Sequence, residues 1–284
     1  MSSQSSHAPS SSRAPGDGAD RPDNTHRNRR YVYVARSRRA GGLSLGIDLT
    51  PDGYCSFSCV YCQATHPLVR EADRTLDVAR MREDLVFRLR EDKGELKDVV
   101  LAGSGEPTSV PNLGDALQAI QDECEAHRPQ LPVKLFTNGR HLGQRSVGEA
   151  VGRFAERSGQ VWVKLDGVQD ETIRKVNGRS FDVESHLSAL WDFASEHKIG
   201  IQTMLLRGPD LGDPGQIVDE VAMAIRAGLA RGAMVSEVHL LTLSRRPSDE
   251  RAAQVLESVP LRELEMFAGL VRGVTGLEVA VFPA

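Results

Sequence analysis

From Leu43 to the end of the chain, short apolar segments alternate with longer amphipathic ones, and this alternation constrains the fold more than any other feature. Runs rich in Val, Ile and Leu predict seven strands, at 43–48, 98–102, 133–137, 161–166, 199–206, 237–243 and 277–282. Apolar residues three and four positions apart predict helices between them, at 76–90, 113–126, 147–157, 183–197, 216–230 and 261–271. Strand–helix alternation repeated six times predicts an α/β fold with parallel strands and right-handed crossovers.

The predicted strands end in polar or glycine-rich segments. A cysteine-containing loop follows the first strand, residues 103–108 follow the second, residues 137–139 the third and residues 166–167 the fourth. An open doubly wound sheet and a full or partial (β/α) barrel both satisfy the alternation, and both place function at the carboxyl ends of the strands. The four segments therefore predict a single site at one rim of the sheet.

Three cysteines lie close together in the loop after the first strand. Cys55, Cys59 and Cys62 form the pattern C-x3-C-x2-C. A [4Fe–4S] cluster normally takes four cysteine ligands. Three cysteines from one loop therefore predict a cluster whose remaining iron is open to a ligand that the protein does not supply.

Structural zinc is the alternative for this loop. His66 follows Cys62 by four residues and could complete a Cys3His site. A zinc site has no need of the other three rim segments, and this favours the cluster. Cys124 is the only cysteine outside the loop, and we expect it to be a structural or surface thiol. One spare cysteine is too few for a second cluster or for a disulfide framework.

Composition predicts where the protein works. The chain has 284 residues, of which 40% are hydrophobic, which is enough for one large core or two small ones. No apolar run approaches the roughly 20 residues that cross a bilayer, and the N-terminal segment lacks the apolar stretch of a signal peptide. We therefore expect a cytoplasmic protein with no membrane segment.

The N-terminal segment has a different charge from the rest of the chain. Residues 1–40 contain eight Arg against three Asp, a net charge of +5, so the remainder carries −9 of the total −4. The segment is rich in Ser, Pro and Gly, and predicts a disordered basic arm before a core domain at 41–284. Its Arg and Tyr residues are compatible with RNA contact, and a solvated tail is the simpler alternative.

The cysteine loop and residues 103–106, here called the glycine–glutamate segment, together resemble the radical SAM superfamily. The resemblance covers residues 43–284, and it implies a (β/α)6 partial TIM barrel. It also implies a [4Fe–4S] cluster held by the three cysteines, and S-adenosylmethionine (SAM) bound through its amino and carboxylate groups to the open iron.

The same resemblance implies which residues contact SAM. Tyr61, the aromatic residue before the last cysteine, is expected to flank adenine. Gly103, Ser104, Gly105 and Glu106 resemble the family segment that receives the methionine ammonium, with Ser104 in place of the more usual glycine. The glycines allow close backbone approach, and Glu106 offers a carboxylate to a cationic group.

Further candidates lie on later strands. On the fourth predicted strand polar residues alternate with apolar ones, so Lys164 and Asp166 are expected to face inward and reach SAM or substrate; a local ion pair is the alternative. Asn138 is likewise a candidate for contact with SAM or substrate, with a purely local role as the alternative. Gln202 and His239, on the fifth and sixth strands, are weaker candidates.

The resemblance implies reductive cleavage of SAM to a 5′-deoxyadenosyl radical, and an electron donor such as flavodoxin or ferredoxin. Residues 44–51, leading into the cysteine loop, are similar to a group related to wyosine-type tRNA-modifying enzymes. Those enzymes carry further upstream cysteines, and none precedes Cys55 here. The hypothesis is an enzyme acting on an RNA base or nucleotide. The alternatives are an activase that installs a radical on a partner protein, and a zinc-binding scaffold without enzymatic activity.

Overall fold

The computed structural model describes residues 31–51, 53–64 and 75–284. The strands are β1 (Val32–Ser37), β2 (Gly42–Ile47), β3 (Leu96–Leu101), β4 (Val133–Thr137), β5 (Gln160–Lys164), β6 (Ile199–Arg207), β7 (Val235–Thr242), β8 (Glu257–Ser258) and β9 (Glu278–Phe282). The helices are α1 (Val78–Glu91), α2 (Leu113–His127), α3 (Arg145–Glu156), α4 (Asp170–Asn177), α5 (Val183–Glu196), α6 (Pro214–Ala230), α7 (Ala252–Val255) and α8 (Leu261–Thr275).

The sheet is a single path in which neighbouring strands follow the order β1-β2-β3-β4-β5-β6-β7-β9. From β2 to β9 every pair along this path is parallel, and the seven parallel strands are the seven predicted from sequence. Strand β1 adds an antiparallel edge to β2, and the two-residue β8 pairs with β6. The sheet curls into a half-barrel, which confirms the predicted α/β partial barrel.

Each strand separates a helix-covered face from an inner face. Leu135, Val163, Ile201 and Val238 are fully buried in the core between sheet and helices. Because successive side chains alternate between faces, their neighbours Phe136, Trp162, Gln202 and His239 line the interior of the half-barrel. The inner face carries aromatic and polar side chains, so it is available for contacts other than packing against helices.

Helix α4 was not predicted from sequence, and it is important because its end contacts the cysteine loop. It has eight residues and is followed by Gly178, whose φ of +65° is the left-handed conformation that favours glycine at a helix C-terminus. Helix α5 then begins after Asp182, whose side chain accepts a hydrogen bond from the Ser185 backbone N–H.

Strand β1 occupies part of the segment 1–40 that the sequence analysis assigned to the basic arm. Residues 31–40 of that segment belong to the described structure, and residues 1–30 lie outside the described residues, so the disordered arm stays a prediction there. In the part of the chain that the structure describes, every helix falls short of the length and apolar character that a membrane span requires.

Candidate functional site

The cysteine loop, residues 53–64, leaves the carboxyl end of β2 and is held against the end of α4. The Ser58 N–H donates to the Asn177 carbonyl over 2.9 Å, and the Val60 N–H donates to the Val176 carbonyl over 3.0 Å. A Cβ at Gly178 would lie 2.3 Å from the Ser58 carbonyl oxygen, closer than real Cβ atoms approach. Glycine at the helix end therefore lets the loop pack directly against α4.

A second contact joins the loop to the glycine–glutamate segment after β3. The Glu106 N–H donates to the Tyr54 carbonyl over 2.8 Å, and a Cβ at Gly105 would lie only 2.0 Å from that oxygen. A Cβ at Gly103 would lie 2.2 Å from Cγ of Asp48. Packing against the Tyr54 carbonyl and the Asp48 side chain therefore already favours glycine at these two positions.

Asp48, which directly follows β2, holds the glycine–glutamate segment in place. Its Oδ2 accepts hydrogen bonds from the Ser104 backbone N–H at 2.9 Å and from the Ser104 hydroxyl at 2.7 Å. Serine at this position, which departs from the family's usual glycine, thus contributes a hydrogen bond that glycine could not make.

Glu106 is buried and its carboxylate organises two strand ends. Oε1 accepts from the Thr108 N–H at 3.1 Å, the Thr108 hydroxyl at 2.6 Å and the Thr137 hydroxyl at 2.6 Å. Oε2 accepts from the Asn138 N–H at 2.8 Å. The carboxylate holds the ends of β3 and β4 in register at the rim, and contact between Glu106 and the methionine ammonium stays a prediction.

Nitrogen donors lie near two of the three cysteine sulfurs, those of Cys55 and Cys59. Lys164 Nζ lies 3.5 Å and Asn177 Nδ2 lies 3.4 Å from Cys59 Sγ, and Asn138 Nδ2 lies 3.9 Å from Cys55 Sγ. Burial raises the pKa of the Cys55 thiol to about 12. A bound metal supplies the positive charge that allows such buried thiols to become thiolates.

Tyr61 connects the cysteine loop to β5. Its hydroxyl donates to Asp166 and accepts a hydrogen bond from Lys164 Nζ. Asp166 also accepts from Asn177 Nδ2 at 2.8 Å and from the Met204 N–H at 2.9 Å, and lies 3.4 Å from Lys164 Nζ. Burial lowers the pKa of Lys164, but Asp166 and Cys59 outweigh burial and raise it overall, so Lys164 is a cation at neutral pH.

The structure thus brings the predicted rim residues together around one loop. The cysteines, Tyr61, the 103–106 segment, Asn138, Lys164 and Asp166 all belong to this connected set. Gln202 and His239 lie on the inner face of β6 and β7, where Gln202 is the sheet partner of Lys164, and they make no contact with the cysteine loop among the described hydrogen bonds. Cys124 is buried in α2 with 2% of its surface exposed. His66 lies outside the described residues, so the Cys3His alternative stays untested.

Sequence reasoning missed two contributors to this set. Asp48 and Asn177 were not singled out, and Thr137 was included only as part of the rim segment 137–139, although each supports a predicted site residue. Asn177 had a usable signal, because Asn-Gly after an amphipathic stretch marks a helix end. Asp48 and Thr137 follow apolar strands, where the carboxyl-end rule applies.

The donor set fits an iron–sulfur cluster. N–H groups near cysteine sulfur are a recognised means of tuning such clusters. Within the described ranges, no three His, Cys, Asp or Glu side chains are arranged around one metal ion. In a [4Fe–4S] cluster each thiolate binds a different iron, so the three sulfurs need not converge on one point.

A family model decides the classification. The model described as the Radical SAM superfamily matches residues 50–221, more than half of the chain and including the cysteine loop and strands β3 to β6. The chain belongs to the radical SAM superfamily. Members of this superfamily bind a [4Fe–4S] cluster and S-adenosylmethionine, which confirms the cofactors that the resemblance implied.

Two curated relatives show how far the sequence similarity extends. The UPF0026 protein slr1464 of Synechocystis sp. is 31% identical over 175 residues, covering 58% of this chain and 61% of that protein. The UPF0026 protein MJ1312 of Methanocaldococcus jannaschii is 27% identical over 146 residues, covering 50% of this chain and 41% of that protein. This chain therefore spans less than two thirds of the length of these relatives.

Solved structures support the fold. A structure of TYW1 with a lysine-pyruvate adduct has a TM-score of 0.53 and 16% identity, covering 81% of this chain and 73% of that one. Spore photoproduct lyase complexed with dinucleoside spore photoproduct has a TM-score of 0.57 and 11% identity, covering 80% and 74%. At these identities the likeness establishes the shared partial-barrel fold.

Proposed function

We propose that this chain is a radical SAM enzyme that cleaves S-adenosylmethionine reductively and uses the resulting radical to abstract hydrogen from a substrate. The observation that carries the proposal is the cysteine loop held at the strand ends between Glu106 and α4. When bound, a [4Fe–4S] cluster supplies one electron at low potential to break a sulfonium carbon–sulfur bond.

The residues of the rim have separate roles in this proposal. Cys55, Cys59 and Cys62 hold the cluster. Lys164 places a cation 3.5 Å from the Cys59 sulfur, where it would favour the reduced state of a cluster held by this cysteine. Asp166 keeps Lys164 in position through the 3.4 Å ion pair.

SAM is assigned to the surface between the loop and β3. Gly103, Ser104 and Gly105 present backbone groups at the strand end next to the loop, and Glu106 fixes their conformation through its buried carboxylate. Tyr61 lies on the β5 side, where Lys164 Nζ is 4.3 Å from its ring centroid. These contacts support the proposal that SAM is bound by residues on both sides of the cysteine loop.

The test of this proposal is 5′-deoxyadenosine formation. Protein purified without oxygen and reconstituted with iron and sulfide is treated with dithionite and SAM. We expect product from wild type and from Cys124→Ala, and none from Cys59→Ala, because of these two cysteines only Cys59 belongs to the loop. Absence of product from a fully loaded wild type, with and without cell extract as a source of substrate, would refute the proposed activity.

The zinc alternative makes a different prediction for His66. A Cys3His site loses its metal in His66→Ala and purifies colourless without oxygen, whereas a cluster survives that substitution. Zinc and iron content of this variant, measured beside wild type, separates the two classes of protein. Retention of iron with negligible zinc is the result that we expect.

For the substrate, we propose a nucleic-acid base or nucleotide. Sequence similarity of residues 44–51 to wyosine-type enzymes and the arginine-rich arm motivate this choice. Spore photoproduct lyase, which has the same fold, was solved with a dinucleoside. The electron donor is proposed to be flavodoxin or ferredoxin, in keeping with the general need of these enzymes for a reductant.

A truncation tests the proposed role of the arm in RNA binding. Strand β1 pairs with β2 along Val32–Ser37, so the deletion must end at residue 30 to leave the sheet intact. We expect the shortened protein to cleave SAM at the wild-type rate and to lose RNA affinity. Unchanged RNA affinity would leave the arm without this role, and a stable complex with one partner protein would favour the activase alternative.

A further inference from the structure

The interior of the half-barrel contains a partly buried arginine that forms no ion pair in the described structure. Arg39 enters from the β1–β2 turn, its guanidinium carbon lies 4.2 Å from the centroid of Phe136, and its Nη1 donates to Gln202 Oε1 over 2.9 Å. Within the described ranges no carboxylate oxygen lies within 4.0 Å of Arg39. The carboxylate whose charge acts on Arg39 is that of Asp98, which is already paired with Lys134 over 2.8 Å. A desolvated cation without a direct ion pair is costly, and an anionic ligand would supply that pair.

Two neighbouring side chains carry buried polar atoms that lack hydrogen-bond partners in the described structure. These atoms are Gln202 Nε2 and His239 Nδ1. Gln202 and His239 face each other on adjacent strands β6 and β7, and only 8% of His239 is exposed. Because buried polar groups are almost always hydrogen-bonded, the two orphan atoms together point to a missing ligand.

These groups extend from the level of Lys164 away from the cysteine loop, which suits a substrate bound beside SAM. Gln202 is the sheet partner of Lys164, and His239 is the sheet partner of Gln202. Trp162 lies two residues before Lys164 on β5, roughly 7 Å further from the loop along the strand. The Trp162 ring stacks on His239 at 4.0 Å between centroids, and His239 meets Phe282 at 4.8 Å. This aromatic wall holds the polar groups in place and keeps water from competing with a ligand.

We infer that Arg39, Gln202 and His239 form a substrate subsite for an oxyanion, either carboxylate or phosphate, and this inference rests on the proposed function. Arg39 and the Gln202 amide N–H donate to the oxyanion. His239 Nε2 lies 3.5 Å from Glu237 Oε2, so an Nε2–H directed at that oxygen leaves Nδ1 as an acceptor for a hydroxyl or ring N–H of the same ligand.

The test is direct binding to the reconstituted protein with SAM and without reductant, so that no turnover occurs. The probes are the four ribonucleoside 5′-monophosphates, the matching nucleosides without phosphate, and orotate as a planar carboxylate, each measured by calorimetry. We expect saturable binding of a monophosphate or of orotate, and the probe that binds identifies the anion as phosphate or carboxylate. Absence of saturable binding for all of these anions would overturn the inference.

Matched variants assign the affinity to the subsite. Arg39→Gln should weaken binding of the anion at least about tenfold. Arg36→Gln removes the same charge from an exposed position on β1 and should leave affinity within about twofold of wild type. Equal affinity in Arg39→Gln and wild type would contradict the assignment.

A second variant keeps the test decisive if Arg39→Gln does not fold. Gln202→Glu places a carboxylate of the same shape 2.9 Å from Arg39 Nη1 and so supplies the missing counter-charge from within. We expect this variant to lose anion binding while its Tm stays at or above that of wild type. Anion binding without 5′-deoxyadenosine formation in reductant would refute the proposed function but leave the subsite standing.

Discussion

Asp166 is the residue on which most of the rim contacts depend. Its carboxylate is 1% exposed, and it accepts from Tyr61, Asn177 and the Met204 backbone while pairing with Lys164. Removing its charge leaves the Lys164 cation without a carboxylate partner. A buried ion pair is not itself strongly stabilising, but breaking one is costly, because the remaining charge stays desolvated.

We therefore expect Asp166→Asn to destabilise the protein by about 3 kcal/mol, which corresponds to a fall in Tm of about 6–12 °C for a domain of this size. Asp182→Asn is the matched control, because Asp182 caps α5 at the surface and Asn caps a helix equally well. Thermal unfolding of both variants beside wild type measures the effect. A Tm for Asp166→Asn equal to that of the control would show that the pair contributes nothing.

At the scale of single elements, the helix α4 end and the cysteine loop form one unit. Gly178 and Gly276 both end helices in the left-handed conformation, with φ of +65° and +72°. They differ in surroundings, since a Cβ at Gly178 would meet the Ser58 carbonyl oxygen at 2.3 Å, while a Cβ at Gly276 would meet nothing within 4 Å. Substitutions at these two glycines therefore distinguish the cost of backbone strain from the effect of contact with the loop.

Both alanine variants should lose about 1 kcal/mol from the left-handed conformation. Gly178→Ala should in addition push the loop away from α4, lower Tm further and reduce iron retained after desalting, whereas Gly276→Ala should retain iron like wild type. Iron per chain is the decisive readout. Equal iron retention in the two variants would mean that α4 does not position the cysteines.

The elements also show what sequence could and could not predict. The seven parallel strands and six longer helices follow from hydrophobic period, which burial on a sheet enforces along each segment. Helix α4 was missed because its eight residues are few and mostly polar, and β1 was missed because its charged neighbours dominate the composition of residues 1–40. The rim residues were found because parallel strands end at one edge. Their hydrogen-bond partners depend on rotamers and loop packing, which no pattern along the chain encodes.

For the molecule as a whole, buried histidines predict sensitivity to acid. Burial, with a contribution from Arg140, lowers the pKa of His186 to about 4, and burial with Arg39 and Lys134 lowers the pKa of His239 to about 4. In the unfolded chain the same groups have a pKa near 6.5. The unfolded state therefore binds protons first, so this stability is complete above about pH 6.5 and is lost as pH falls toward 4.

We expect each of these histidines to cost about 2 kcal/mol of stability at pH 5 relative to pH 7.5. His186→Phe keeps an aromatic ring against Phe181, which lies 5.3 Å away between centroids, and removes the titrating group. The fall in Tm between pH 7.5 and pH 5 should be smaller in this variant than in wild type. An identical pH dependence in both proteins would show that His186 does not titrate with unfolding.

The central claim is that three cysteines of one loop hold a [4Fe–4S] cluster with one iron open to SAM. The most direct measurement is Mössbauer spectroscopy of protein reconstituted with iron-57, before and after addition of SAM. We predict about four irons per chain, in signals of about three to one once SAM is bound, because only the open iron gains new ligands. A spectrum that SAM leaves unchanged, or a loop occupied by one zinc ion, would contradict the account.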